Sequence, residues 1–123
     1  ADFDELFKEV KLGPTFDYLQ VDCEPARVTF DSMLKINLDK YKFAVITFEH
    51  DKYNDGDSVQ NESRQYLQDR GYILIADDIS VDDQHPFEDW WAHPDLVDGN
   101  IIAAMKCVTG ETKKAEDYML GKV

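Results

Sequence analysis

The 123 residues carry 26 acidic and 13 basic side chains, a formal net charge of −13, which repels phosphate backbones and anionic lipid and argues against nucleic acid and membrane as partners. The length suits one domain, and 43% apolar residues are enough for a core. No apolar run approaches the roughly 18 residues that span a bilayer, and Cys23 and Cys107 form neither a disulfide framework nor a metal knuckle, which points to a reducing, cytoplasmic setting.

Phe3, Leu6, Phe7 and Val10 recur at helical spacing, with Asp2 as the expected cap and Gly13-Pro14 as the stop. A β-rich run, Phe16 to Asp22, predicts a strand that ends at Glu24-Pro25, where proline forbids continued pairing. Thr29 is the expected cap of a helix that turns Phe30, Met33 and Leu34 inward and ends near Asn37. Lys42 to Phe48 is almost continuously apolar, as in a strand covered on both faces, and runs into Glu49-His50-Asp51. A loop over 52–57 leads to a helix capped by Asp57 or Ser58, with Val59, Tyr66 and Leu67 inward and Gly71 as the C-terminal stop. Tyr72 to Ala76 is a third strand, ending in Asp77-Asp78. A fourth is expected at Glu88–Ala92, then helices over 101–108 and 113–120.

Strands alternating with helices argue for an α/β domain with parallel strands and right-handed crossovers. In such sheets ligands bind beyond the carboxyl ends of the strands, and those ends carry Asp22, Glu24, Glu49, His50, Asp51, Asp77 and Asp78. Oxygen and imidazole groups there suit proton transfer or a divalent cation, or they are simply solvated loop charges. His85, Glu88, Asp89, Trp90 and Trp91 crowd a second segment, where indoles beside carboxylates suit a sugar or another neutral polar ligand; the plainer reading packs one Trp on the sheet. The stretch 51–62 matches a calcium loop only partly, with Tyr53 at its third position and a strand before it. Glycines stand only at 13, 56, 71, 99, 110 and 121, so phosphate loops, GxGxxG and GxSxG are absent.

The succession FDYLQVDCEP, YKFAVITFEHD, YLQDRGYILIADDI and PFEDWWAHPDLVD resembles the C-terminal half of FkbM-type S-adenosylmethionine-dependent methyltransferases. The resemblance covers roughly 4–98. Asp22 and Glu24 match the family's D-x-E, Glu49 and His50 its E-H, and Gly71-Tyr72 its G-Y, while Pro25 stands where the family has glycine. It implies a partial Rossmann-like sheet, mostly parallel strands with an antiparallel edge near Glu88 to Ala92, flanked by helices. It also implies cofactor contacts at Asp22 and Glu24, a base at Glu49 or His50, and a small hydroxyl-bearing acceptor. The family's glycine-rich cofactor turn lies in an N-terminal half that these residues do not include. They are therefore expected to form one domain that corresponds to half an enzyme, without tight S-adenosylmethionine binding, and to self-associate through an exposed sheet edge. The start at Ala1 without Met fits that expectation. The alternative is a stand-alone acidic α/β module that binds a divalent cation or a protein partner.

Overall fold

The structure, a computed structural model, describes residues 3–10 and 13–123. In chain order it runs α1 (Phe3–Glu9), β1 (Thr15–Val21), α2 (Ala26–Leu34), β2 (Lys42–Glu49), α3 (Lys52–Asp55), α4 (Asp57–Asp69), β3 (Ile73–Ser80), β4 (Glu88–Ala92), α5 (Gly99–Met105), β5 (Lys113–Lys114) and α6 (Ala115–Met119). The five strands form one sheet in the order β1-β2-β4-β3-β5. β1 pairs parallel with β2, and β3 with β5, whereas β4 lies antiparallel between β2 and β3. The sheet is thus mixed rather than mostly parallel, and its antiparallel strand is interior, not an edge. The short 81–87 connection explains this: it lets β4 return directly beside β3, while the helical crossovers keep β1, β2 and β3 in one direction.

Side-chain parity divides the sheet into two faces. Val21, Ile46, Phe48, Leu74 and Trp91 point to one, where Phe30 and Met33 of α2 and Val59 and Leu67 of α4 close the main core. Met33, Ile46, Phe48 and Leu67 are fully buried, each worth about 1.5–3 kcal/mol. At the amino end Phe7 of α1 packs on Phe16 at 5.2 Å and edge-on to Tyr41 at 4.8 Å. The opposite face is covered only in part. Ile75, Ala92 and Ile102 form a small second core with Tyr118, and Trp90 meets Tyr118 edge-on at 5.2 Å. Over β1 and β2 that face is open: Tyr18 is 53% exposed and Val45 37%. A groove of about 740 Å³ runs between it and α5–α6.

Several boundaries differ from expectation. Thr29 is not a cap; it sits inside α2, where its hydroxyl donates to the Cys23 carbonyl and accepts from the Cys23 amide, and Leu34 points outward. Neither Asp57 nor Ser58 caps α4; Gly56, at φ 80°, precedes it, and 52–55 is a helical turn rather than loop. Residues 113–120 divide into β5 and α6. β3 runs on to Ser80, with its pairing shifted between Ala76 and Ile79, so Asp77 and Asp78 lie inside the strand, buried. The expected cap Asp2 lies outside the described residues.

Candidate functional site

Beyond the carboxyl ends of β1 and β2 the acids separate into a buried layer and an accessible one. In the buried layer Asp89 of β4 is fully enclosed. Its carboxylate accepts from Arg64 Nε at 2.8 Å and Nη2 at 2.9 Å, from the Asp78 amide at 3.0 Å, and lies 3.2 Å from His50 Nε2. His50 Nδ1 accepts the Lys52 amide at 3.1 Å, which leaves its ring proton on Nε2, directed at Asp89. Both nitrogens of this wholly buried ring are therefore engaged. Gln60 Nε2 donates to Asp78 at 2.5 Å. His50, Asp78 and Asp89 bring ligand atoms within 4.8 Å of one another, a spacing a divalent ion spans. Arg64, however, grips both oxygens of Asp89 and approaches Asp78 to 3.5 Å, so the chain's own guanidinium supplies the compensating charge. Burial alone would raise the Asp89 pKa, but hydrogen bonds from Arg64 and His50 hold it at about 2.

In the more accessible group Asp22 is exposed and Glu49 half-buried, while Asp51 beside them is itself buried. Asp22 follows β1, Glu49 ends β2 and Asp51 stands in the left-handed region at φ 48°. Burial pushes the Glu49 carboxyl up to about 9, and hydrogen bonds with Asp22 and Asp51 and their negative charges push the same way. The shift favours the protonated form of Glu49, beside the side chains of Asp22 and Asp51. No ion pair among the described residues places Lys or Arg on Asp22, Glu49 or Asp51. Tyr53 stands nearby, its hydroxyl pKa raised first by the charge of Asp51. The His50 and Asp51 amides donate to the Phe87 carbonyl, and that of Tyr53 to Pro86, which fixes this turn against the 86–87 segment. A cavity of about 440 Å³ opens here, lined by Glu49, Asp51, Tyr53, Val81, Asp82, His85 and Phe87.

The residues expected from sequence are thus partly brought together. Asp22 and Glu49 meet, and His85 shares with Glu49 the lining of a cavity that Asp22 does not line, edge-on to Tyr53 at 5.3 Å and paired with Asp82. Glu24 is exposed and acts on Tyr53 only through its charge. The 88–91 segment forms no single wall, because strand alternation separates its members. Glu88 accepts from Trp90 Nε1 at 2.7 Å on the open face, while Asp89 and Trp91 are buried on the other. Burial raises the Glu88 pKa against that hydrogen bond. Asp77 serves neither layer: Lys113 Nζ lies 2.6 Å from its carboxylate, which also accepts the Thr109 and Gly110 amides.

Sequence reasoning missed Arg64, Gln60 and Lys113 as partners of the strand acids. Arg64 had one available signal, since it lies one helical turn from Gln60 and Leu67 on the inward face of α4. No family model matches this sequence, and searches of curated proteins and solved structures return no match.

Proposed function

We propose that these residues are the carboxyl-terminal half of an FkbM-type S-adenosylmethionine-dependent O-methyltransferase, acting on a small hydroxyl-bearing acceptor. The observation that carries the reading is the meeting of Asp22 and Glu49, from two of the three motifs that suggested it, at the carboxyl ends of adjacent parallel strands. The residues supply carboxylates that accept hydroxyl donors but no glycine-rich turn, so they suit an acceptor better than a whole nucleoside cofactor. When bound, the cofactor supplies an electrophilic methyl group. The chain's part is to orient the acceptor hydroxyl against Asp51 and to take its proton at Glu49, beside Asp22, once that carboxyl is ionised. His85 and Tyr53 wall the acceptor, and Glu88 stands at the neighbouring end of β4.

The coding sequence immediately upstream of Ala1 tests this reading. It is expected to continue in frame through a strand and a glycine-rich turn; a start codon directly before Ala1 overturns the proposal. Calorimetry should find no low-micromolar S-adenosylmethionine affinity for the 123 residues alone, and such affinity would defeat the half-enzyme assignment. A second reading, a non-catalytic acidic module that holds a divalent cation, is favoured by the lack, among the described residues, of an ion pair from Lys or Arg to Asp22, Glu49 or Asp51. Micromolar magnesium or calcium binding abolished by Asp51→Asn would select it.

A further inference from the structure

The cavity that Glu49 lines combines negative charge with aromatic rings. Its wall holds the carboxyl groups of Glu49, Asp51 and Asp82 and the rings of Tyr53, His85 and Phe87, and among the described residues it holds no Lys or Arg. Asp51 is only 7% exposed, and the one side chain that hydrogen-bonds to its carboxyl group among the described residues is Glu49, another acid. A carboxylate so enclosed is costly without a counter-charge. The bases beside it in the fold are engaged elsewhere: Lys52 faces Asp57 at 3.8 Å, Arg64 holds Asp89, and His85 pairs with Asp82. The charge of Asp51 first, then desolvation, then the charges of Glu49, Glu24 and Asp55 raise the Tyr53 hydroxyl pKa, and no base offsets them.

We propose that the acceptor carries a protonated amine as well as a hydroxyl, a small amino alcohol of amino-sugar size, and that Asp51 and the rings of Tyr53 and Phe87 hold its ammonium group in this cavity. Carboxylates take the N–H donors of such a group, and aromatic faces attract its charge. The volume, about 440 Å³, falls in the range of pockets for small organic ligands and far exceeds one metal ion, whose hydrated shell would gain nothing from Phe87 and Val81. The absence of Lys and Arg from the wall disfavours an anionic acceptor, and the carboxyl groups alone would leave a neutral sugar without a partner for their charge.

The inference rests on the methyltransferase reading for the hydroxyl, and the two fail separately. A start codon before Ala1 defeats that reading and leaves an amine-binding module, whereas a cavity that ignores the amine leaves a methyltransferase half with a neutral acceptor. The test is a titration of the full chain at pH 6 with glucosamine and with glucose, its neutral counterpart, followed by amide chemical shifts. Glucosamine should bind with Kd on the order of 1 mM and at least tenfold more tightly than glucose, with the shifts confined to 49–53 and 81–87. Asp51→Asn, which suits the left-handed backbone at φ 48°, should weaken glucosamine about tenfold. Tyr53→Leu, at a position 53% exposed, should weaken it about fivefold with an unchanged circular-dichroism spectrum; simple attraction to negative charge would not respond to the loss of the ring. Equal affinity for glucose, shifts scattered over the acidic surface, or undiminished binding by Tyr53→Leu overturns the proposal.

Discussion

Asp89→Asn is expected to remove about 3–5 kcal/mol of folding stability, the range for breaking one side of a buried ion pair. Domains of this kind are stable by only about 5–15 kcal/mol, so the variant should unfold at much lower urea concentration. The magnitude follows from how many groups converge on one carboxylate: two guanidinium nitrogens, an imidazole and a main-chain amide. An amide side chain cannot balance Arg64, and its NH₂ presents hydrogens to donors that already point at it. A pH signature separates this from a simple packing defect. The folded carboxyl titrates at about 2, below its unfolded value near 3.9, so its contribution is present above pH 4 and is lost as pH falls through 2. Urea titrations from pH 6 to pH 2 should show the gap between wild type and variant narrowing. A constant gap would place the loss elsewhere.

Glu49→Gln is expected to do the opposite, raising the melting temperature by a few degrees at pH 8 and changing little at pH 4. The folded carboxyl titrates at about 9 because burial and the neighbouring Asp22 and Asp51 oppose its ionisation. Below about pH 4.5 both the folded and unfolded chains hold this proton, and Glu49 contributes no pH dependence. Between roughly pH 4.5 and 9 the folded chain retains a proton that the unfolded chain has released, so stability declines as pH rises through that window. Glutamine keeps the donor and removes the charge. Thermal melts of both proteins at pH 4, 6 and 8 provide the check, and parallel pH profiles would refute the assignment. The same substitution removes the group proposed to take the acceptor's proton. Function and stability therefore oppose one another at this position, as expected where a site holds like charges together.

Local patterns made much of this legible. The apolar run 42–48, the stop at Gly71 and the strand at Glu88–Ala92 depend on short-range rules, and each lies where those rules place it. The meeting of Asp22 with Glu49 followed from parallel strands that end in acid. What could not be read was the partner of each acid. Asp77 and Asp78 look like solvated strand-end charges until the irregular pairing of β3 turns them inward, toward Lys113 and Arg64, which stand far away in sequence. The Glu88–Trp91 segment shows the complementary failure. Clustering in sequence suggested one surface, but a strand sends successive side chains to opposite sides, and Asp89 reaches the core instead.

The interior position of β4 also sets an order of assembly. β2 and β3 share no ladder with each other; only β4, which the chain makes after both, joins one to the other. On a ribosome the sheet therefore stays open between them until Ala92 has emerged, and the helices α2 and α4 have only half a platform to dock on. Closing it requires residues 88–92 to enter between two strands at once, a non-local step that carries loop-closure entropy and slows folding. Both tryptophans of the protein lie on the entering strand, so their intrinsic fluorescence reports the arrival of the keystone itself.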